Sequence, residues 1–179
     1  AMKLIEKNEF GDVWEIGYKL AEKGSVKEAK EIAMKLIESI WGSYAGDIGK
    51  ALAENGGGEE AKEIAMNLIE KNEFHRVWEI AYKLAEKGSV KEAKEIAMNL
   101  IEKNDFHRVC EIGVKLAEKG SVKEAKEIAK KLIENNEVYW ARCISKKLGE
   151  NGEEEKANEI TCQINNRNNA NSQSCCTIS

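Results

Sequence analysis

Residues 65–96 read AMNLIEKNEFHRVWEIAYKLAEKGSVKEAKEI, and residues 97–128 read AMNLIEKNDFHRVCEIGVKLAEKGSVKEAKEI. The two stretches differ at four positions: Glu73/Asp105, Trp78/Cys110, Ala81/Gly113 and Tyr82/Val114. Residues 1–32 also differ from 65–96 at four positions. Residues 33–64 and 129–160 diverge further but keep the register without gaps. The 179-residue chain thus repeats with a period of 32. A fixed period of roughly 20–50 residues marks stacked supersecondary units.

Each unit reads as two helices. In the first, Phe74 to Lys87, the residues Val77, Ile80, Ala81 and Leu84 fall at i, i+3, i+4 and i+7, one helical face. Gly88 ends it, because glycine accepts the left-handed conformation past a helix end. Ser89 and Glu92 then read as a capping box, repeated at Ser25/Glu28 and Ser121/Glu124. The second helix runs from about Val90 to Lys103, with Val90, Ala93, Ile96, Ala97, Leu100 and Ile101 on one face. Asn104-Asp105 turns the chain into the next unit. Small residues recur at Gly17, Gly49, Ala81, Gly113 and Ser145, and again at Ala29, Ala61, Ala93, Ala125 and Ala157. They let helices cross closely. A lone hairpin cannot bury its apolar face, whereas stacked neighbours can. The expected fold is all-α: a right-handed α-solenoid of five helix-turn-helix repeats preceded by a half repeat, over residues 1–164. Ala1-Met2-Lys3-Leu4-Ile5 corresponds to a second helix, so the chain opens in mid-unit. Either Met2 is the true start or a longer protein was cut here, and the match of Ala1 to Ala33, Ala65 and Ala97 mildly favours the cut.

Composition agrees. Charged residues are 34%, hydrophobic residues 42%, and proline is absent, a helical profile. The formal net charge of −4 argues against a general nucleic-acid binder, which needs a basic face. No apolar run approaches the roughly 18 residues of a membrane-spanning helix, and no signal peptide is read at the start. Five unevenly spaced cysteines do not form a secreted disulfide framework, so a reducing setting is expected. Two histidines, His75 and His107, leave little room for a metal site or a triad. No catalytic motif is present, and the expectation is a non-enzyme with no cofactor.

The pattern resembles the tetratricopeptide repeat, bulky-x2-Leu-Gly-x2-aromatic followed by Ala-x3-bulky. This chain has Val77-x2-Ile80-Ala81-x2-Leu84 and then Ala93-x3-Ala97. The resemblance covers about residues 9–165. It departs in its 32-residue period, in having no proline at the unit end, and in its aliphatic residues where large aromatics usually sit. Gly88-Ser89-Val90-Lys91-Glu92-Ala93 is also similar to pentatricopeptide repeats, an RNA-reading class that would want a basic groove.

The tetratricopeptide resemblance implies that first helices line a concave surface. It then gives one ligand-facing triplet per unit: Gly11, Trp14, Tyr18; Ser43, Gly46, Lys50; His75, Trp78, Tyr82; His107, Cys110, Val114; Tyr139, Arg142, Lys146. Helical spacing puts Trp78 and Tyr82 on a face rotated from Val77, Ile80 and Leu84. The large differences between the two nearly identical units, Trp78/Cys110 and Tyr82/Val114, fall on this stripe. A protein or peptide ligand is the expected partner, unless neighbouring helices simply cover these rings. His75-Arg76 and His107-Arg108 could receive an anion, or be solvated surface pairs. Met2, Met34, Met66 and Met98 read as core packing, and Cys110, Cys143 and Cys162 as ordinary thiols.

From Asn165 the helical pattern stops. Asn165 to Ser174 reads NNRNNANSQS and is expected to be a flexible linker, followed by a lipidation tail over 175–179. The last four residues, Cys176-Thr177-Ile178-Ser179, resemble a C-a-a-X prenylation box, with Ser179 pointing to farnesyl. One lipid binds membranes weakly, so a second signal is usual. With Arg167 the only basic residue nearby, Cys175 is the candidate, as a palmitoyl site. Such a box requires a host prenyltransferase. The chain therefore looks like a eukaryotic protein or a bacterial effector delivered into a eukaryotic cell. The expectation is a membrane-anchored interaction module on a cytosolic membrane face. The alternative is a soluble scaffold with an unmodified tail.

Overall fold

The computed structural model describes residues 10–39 and 41–175. Among them are ten α-helices and no strand. In chain order they are α1 (Phe10–Glu22), α2 (Val26–Ile37), α3 (Gly42–Glu54), α4 (Gly58–Glu70), α5 (Val77–Lys87), α6 (Val90–Glu102), α7 (Phe106–Glu118), α8 (Val122–Glu134), α9 (Val138–Glu150) and α10 (Glu154–Cys175). A 3-10 turn, Phe74–Arg76, precedes α5. The chain is thus all-α. Its contacts divide it into two units, Ala1–Asn99 and Leu100–Ser179.

The helices end where the left-handed conformation is cheap. Gly24, Gly56, Gly88, Gly120 and Gly152 all have positive φ. Between them Asn72, Asn104 and Asn136 do the same work, with φ of 60, 61 and 65°. Asparagine is among the few side chains that tolerate that region. Each of these glycine and asparagine turns closes by the same backbone bond, from the residue after it to a leucine carbonyl five residues back, whereas after α2 Ser39 N–H donates to Leu36 O at 3.0 Å. Ser89 N–H donates to Leu84 O at 2.9 Å, Asp105 N–H to Leu100 O at 3.0 Å, and Glu137 N–H to Leu132 O at 2.9 Å. This is the Schellman arrangement.

That bond removes the capping boxes expected at Ser25 and Ser121. Neither serine makes a side-chain cap. Their N–H groups already donate to Leu20 O and Leu116 O, so a box glutamate has no free donor to accept. The serine carbonyls instead accept the N–H groups of Ala29 and Ala125.

Leu20 is half-buried. The other leucines that close these turns, Leu52, Leu68, Leu84, Leu100, Leu116, Leu132 and Leu148, are fully buried, as is Leu36. So are the isoleucines one turn before most of them, Ile48, Ile64, Ile80, Ile96, Ile112, Ile128 and Ile144. In the first unit α1 packs on α2 and α3, α3 on α4 and α5, and α2 on α4. In the second unit α7 packs on α8 and α9, α9 on α10, and α8 on α10. Ion pairs follow the same geometry. Between second helices, Lys30 pairs with Glu63, Lys62 with Glu95 and Lys126 with Glu159. Between first helices, Lys50 pairs with Glu79, Lys83 with Glu54 and Lys147 with Glu118.

Glycines set the spacing of the first helices. A Cβ on Gly17 would lie 2.6 Å from Ile48 Cδ1, one on Gly49 2.7 Å from Ile80 Cδ1, and one on Gly113 2.4 Å from Ile144 Cδ1. In the last hairpin the corresponding residue is Ser145, the buried polar residue among those described. Its hydroxyl donates to Ala157 O at 2.8 Å, so the extra atom is satisfied on α10.

At the C-terminal end, α10 continues through Asn165–Ser174, where the composition led to an expected non-helical linker. Ile164 is the last buried residue described, and Asn165 to Asn168 are exposed. No glycine or proline stands between Glu153 and Cys175 to stop the helix. Asparagine and serine cost only tenths of a kcal/mol each, up to about 0.7 kcal/mol, in a helix already nucleated by packing. Composition alone therefore does not set the backbone conformation of this stretch.

These contacts predict opposite outcomes for one chemical change. Gly113→Ala should destabilise the chain by about 1–3 kcal/mol, because Ile144 must move. Gly149→Ala meets Ala157 Cβ at an ordinary 3.7 Å and should stabilise by about 0.5–1 kcal/mol. Urea unfolding of the two variants checks both.

Candidate functional site

The candidate residues lie on the first helices, α1, α3, α5, α7 and α9. The crossing that seats Ile48 on Gly17 also decides what meets one turn away. Trp14, three residues before Gly17, faces Tyr44, four residues before Ile48, with ring centroids 5.6 Å apart. Tyr18 adds to Trp14 at 6.1 Å and Trp41 to Tyr44 at 5.3 Å, giving four rings in series. The Trp14 indole N–H is buried in this series without a hydrogen-bond partner.

The next crossing fills the same slot differently. Gly46 takes the place of Trp14, and Arg76 that of Tyr44. A Cβ on Gly46 would lie 2.3 Å from Arg76 Cβ. Gly46 is therefore buried beneath Arg76 and is not the ligand-facing position expected of it. In the second unit Cys110 and Trp140 take the corresponding positions. Cys110 is 5% exposed, so it too is withdrawn from the face the resemblance assigned it. Burial, then the neighbouring Cys143, push its thiol up to about 12.

Arg76 also anchors the centre of the first unit. Its guanidinium lies 2.9 Å from Glu79 and 3.6 Å from Asp47, while Lys50 reaches Glu79 at 2.9 Å. Burial pushes the Glu79 carboxyl up. The hydrogen bonds from Lys50 and Arg76 outweigh that, and its pKa ends below the ordinary carboxylate value. Arg108 likewise holds Asp105 at 2.6 Å. Both arginines of the two His-Arg pairs thus already have carboxylate partners.

The other candidates fall into two groups. Trp14, Tyr18, Trp78 and Tyr82 are half-buried, as are Ser43, Lys50 and Val114. The Trp78 and Tyr82 rings are 6.2 Å apart, edge to face. Gly11, His75, His107, Tyr139, Arg142 and Lys146 are exposed. Tyr139 stacks edge-on against Trp140 at 4.7 Å, and Trp140 against His107 at 5.1 Å. Sequence reasoning missed Trp41, Tyr44 and Trp140. Their only signal was aromatic identity one position outside the chosen triplets for Tyr44 and Trp140 and two for Trp41.

The tail candidates Cys176, Ile178 and Ser179 lie outside the described residues, as does the Cys175 side chain. Among the described residues no helix is long and apolar enough to cross a membrane, and no cluster of acidic, histidine or cysteine side chains could hold a metal ion. No protein-family model, curated protein or solved structure matches the chain.

The Glu79 network sets a pH dependence. A carboxyl lowered by folding stabilises at pH above its unfolded value and loses that contribution as pH falls through its folded value. Glu79→Gln should cost about 1 kcal/mol at neutral pH. It should also flatten the fall of the thermal midpoint between about pH 5 and pH 3. Thermal melts of both chains across that range check it.

Proposed function

We propose that the chain is a helical-hairpin scaffold: a right-handed α-solenoid of five repeats preceded by a half repeat. It binds a protein or peptide through its first helices. The observation that carries this reading is where the large exposed rings sit. Tyr44, 37% exposed, and Tyr139, 65% exposed, both stand on first helices. The second helices carry no aromatic residue among those described. Aromatic side chains dominate the energetics of protein interfaces, and charged rims contribute little. In the first unit the half-buried rings of Trp14, Tyr18, Trp78 and Tyr82 accompany Tyr44, with His75 as a polar member; in the second His107, Arg142 and Lys146 accompany Tyr139.

The second half of the proposal is location. Farnesylation of Cys176, read through Ile178 and Ser179, would hold the scaffold on a cytosolic membrane face of a eukaryotic cell, with Cys175 palmitoylated beside it. The terminal tetrapeptide supports this, together with the run of exposed polar residues before it. The activity is binding, without catalysis.

Two measurements test the halves separately. Incubation with farnesyl diphosphate and farnesyltransferase should add one farnesyl to the chain and none to Cys176→Ser, read by intact mass. An unchanged mass leaves a soluble scaffold with an inert tail. Trp14→Ala with Trp78→Ala should weaken capture of protein partners from a eukaryotic lysate about tenfold or more, with helicity retained. Loss of helicity would place these rings in the core. Tight binding to single-stranded RNA, with no protein captured, would overturn the choice of ligand class.

A further inference from the structure

Two of the cysteines occupy facing positions, and neither is a residue the repeat uses elsewhere. Where the second unit has Cys110, the corresponding first-helix positions hold Trp14, Gly46 and Trp78. Where it has Cys143, they hold Glu15, Asp47, Glu79 and Glu111. An acidic position became a thiol in one helix, and the position it faces became a thiol in the other.

The backbone brings them together. α7 and α9 approach most tightly at Gly113 and Ile144, where a Cβ would sit 2.4 Å from the isoleucine methyl. Cys110 is one turn before Gly113, and Cys143 immediately precedes Ile144. The Cys143 thiol donates to Tyr139 O at 3.5 Å, and after burial Cys143 is the neighbour that raises the Cys110 pKa. Both are free thiols, Cys110 buried and Cys143 half-buried.

The geometry points to a disulfide-forming site: Cys143 and Cys110 act as peroxide-reactive and resolving thiols, and a hydroperoxide closes them into a staple between α7 and α9. In the first step the Cys143 sulfur attacks the peroxide O–O bond. Cys143 becomes a sulfenic acid, and one water leaves, taking the thiol proton. In the second step the Cys110 sulfur attacks the Cys143 sulfur. The S–O bond breaks, the Cys110 proton goes to the departing oxygen as a second water, and the S–S bond forms. The two thiols are oxidised by two electrons, and the peroxide is reduced by two. Division of labour follows from access. Cys143 meets solvent, whereas Cys110 is sheltered and keeps its proton until the sulfenic sulfur is beside it.

The test uses the full chain with Cys162, Cys175 and Cys176 replaced by serine, treated with hydrogen peroxide. A Cys110–Cys143 linked peptide should appear in the digest. The thermal midpoint should rise by about 5–10 °C, reversed by dithiothreitol. Adding Cys110→Ser should stop the chemistry at a Cys143 sulfenic acid that dimedone traps. Adding Cys143→Ser should abolish the reaction. Sulfenic or sulfinic acid at Cys143 without the linked peptide, in the chain that keeps both thiols, would overturn the proposal. So would linkage that forms as fast in denaturing urea as in buffer, because the fold would then contribute nothing.

Discussion

An isoleucine side chain seated on bare backbone is the contact on which the rest depends. Ile48 on Gly17, Ile80 on Gly49 and Ile144 on Gly113 repeat one crossing with one geometry. Each glycine is also met by the isoleucine of its own hairpin partner: Ile32, Ile64 and Ile128 respectively. A missing Cβ lets two branched side chains close over the same spot, at the packing density of a protein interior. With that distance fixed, the neighbouring turns have no freedom. What stands three residues before the glycine must match what stands four residues before the isoleucine. The slot is filled as Trp14 with Tyr44 and as Gly46 with Arg76. Large meets large at one crossing, and at the other a small residue makes room for a bulky one.

The leucines tie this packing to the turns. From Leu52 to Leu148 each turn-closing leucine contributes its side chain to the core and its carbonyl to the bond that closes the helix end. Leu84 is fully buried, and its oxygen accepts the Ser89 N–H. A turn that opened would also drag a core side chain, so the helix end and the interior are coupled. This explains why the turn inside a hairpin and the turn between hairpins look alike although one uses glycine and the other asparagine. The conformational demand is the same left-handed residue, and the leucine supplies the acceptor in both.

Most of the scaffold was legible because it is written in residue types with few alternatives. A glycine or asparagine past an amphipathic run, an alanine or glycine at a crossing, and isoleucine and leucine at fixed offsets each have one physical role. Three features were not legible, and each depends on a partner that a single stretch does not contain. The serine capping boxes fail because the serine N–H is spent on a leucine five residues back. Gly46 fails as a ligand position because Arg76, thirty residues later, covers it. The rings of Tyr44 and Trp140 sit on the same helices as the chosen triplets. They were overlooked because the family pattern fixed the offsets before the crossing geometry was known. The helix through Asn165–Ser174 is a fourth case. A polar stretch lacks a reason to be packed, but it also lacks a stop.

Charge placement separates scaffold from surface in the same terms. Along the second helices, Lys30, Lys62 and Lys126 each meet a glutamate of the next second helix, as with Lys62 and Glu95 at 2.9 Å. Along the first helices, pairs such as Lys83 with Glu54 at 3.2 Å lie near the C-terminal turns. Exposed pairs of this kind contribute little singly. Their worth is in register, because sliding one helix by a turn would set like charges opposite each other. The first-helix N-terminal halves hold the rings of Trp14, Tyr44 and Trp140 and the thiols of Cys110 and Cys143, beside pairs such as Lys50 with Glu79. Of the differences between the two nearly identical stretches, Trp78/Cys110 falls there. A residue in the slot has only to match its partner in size, which leaves its chemistry open to vary.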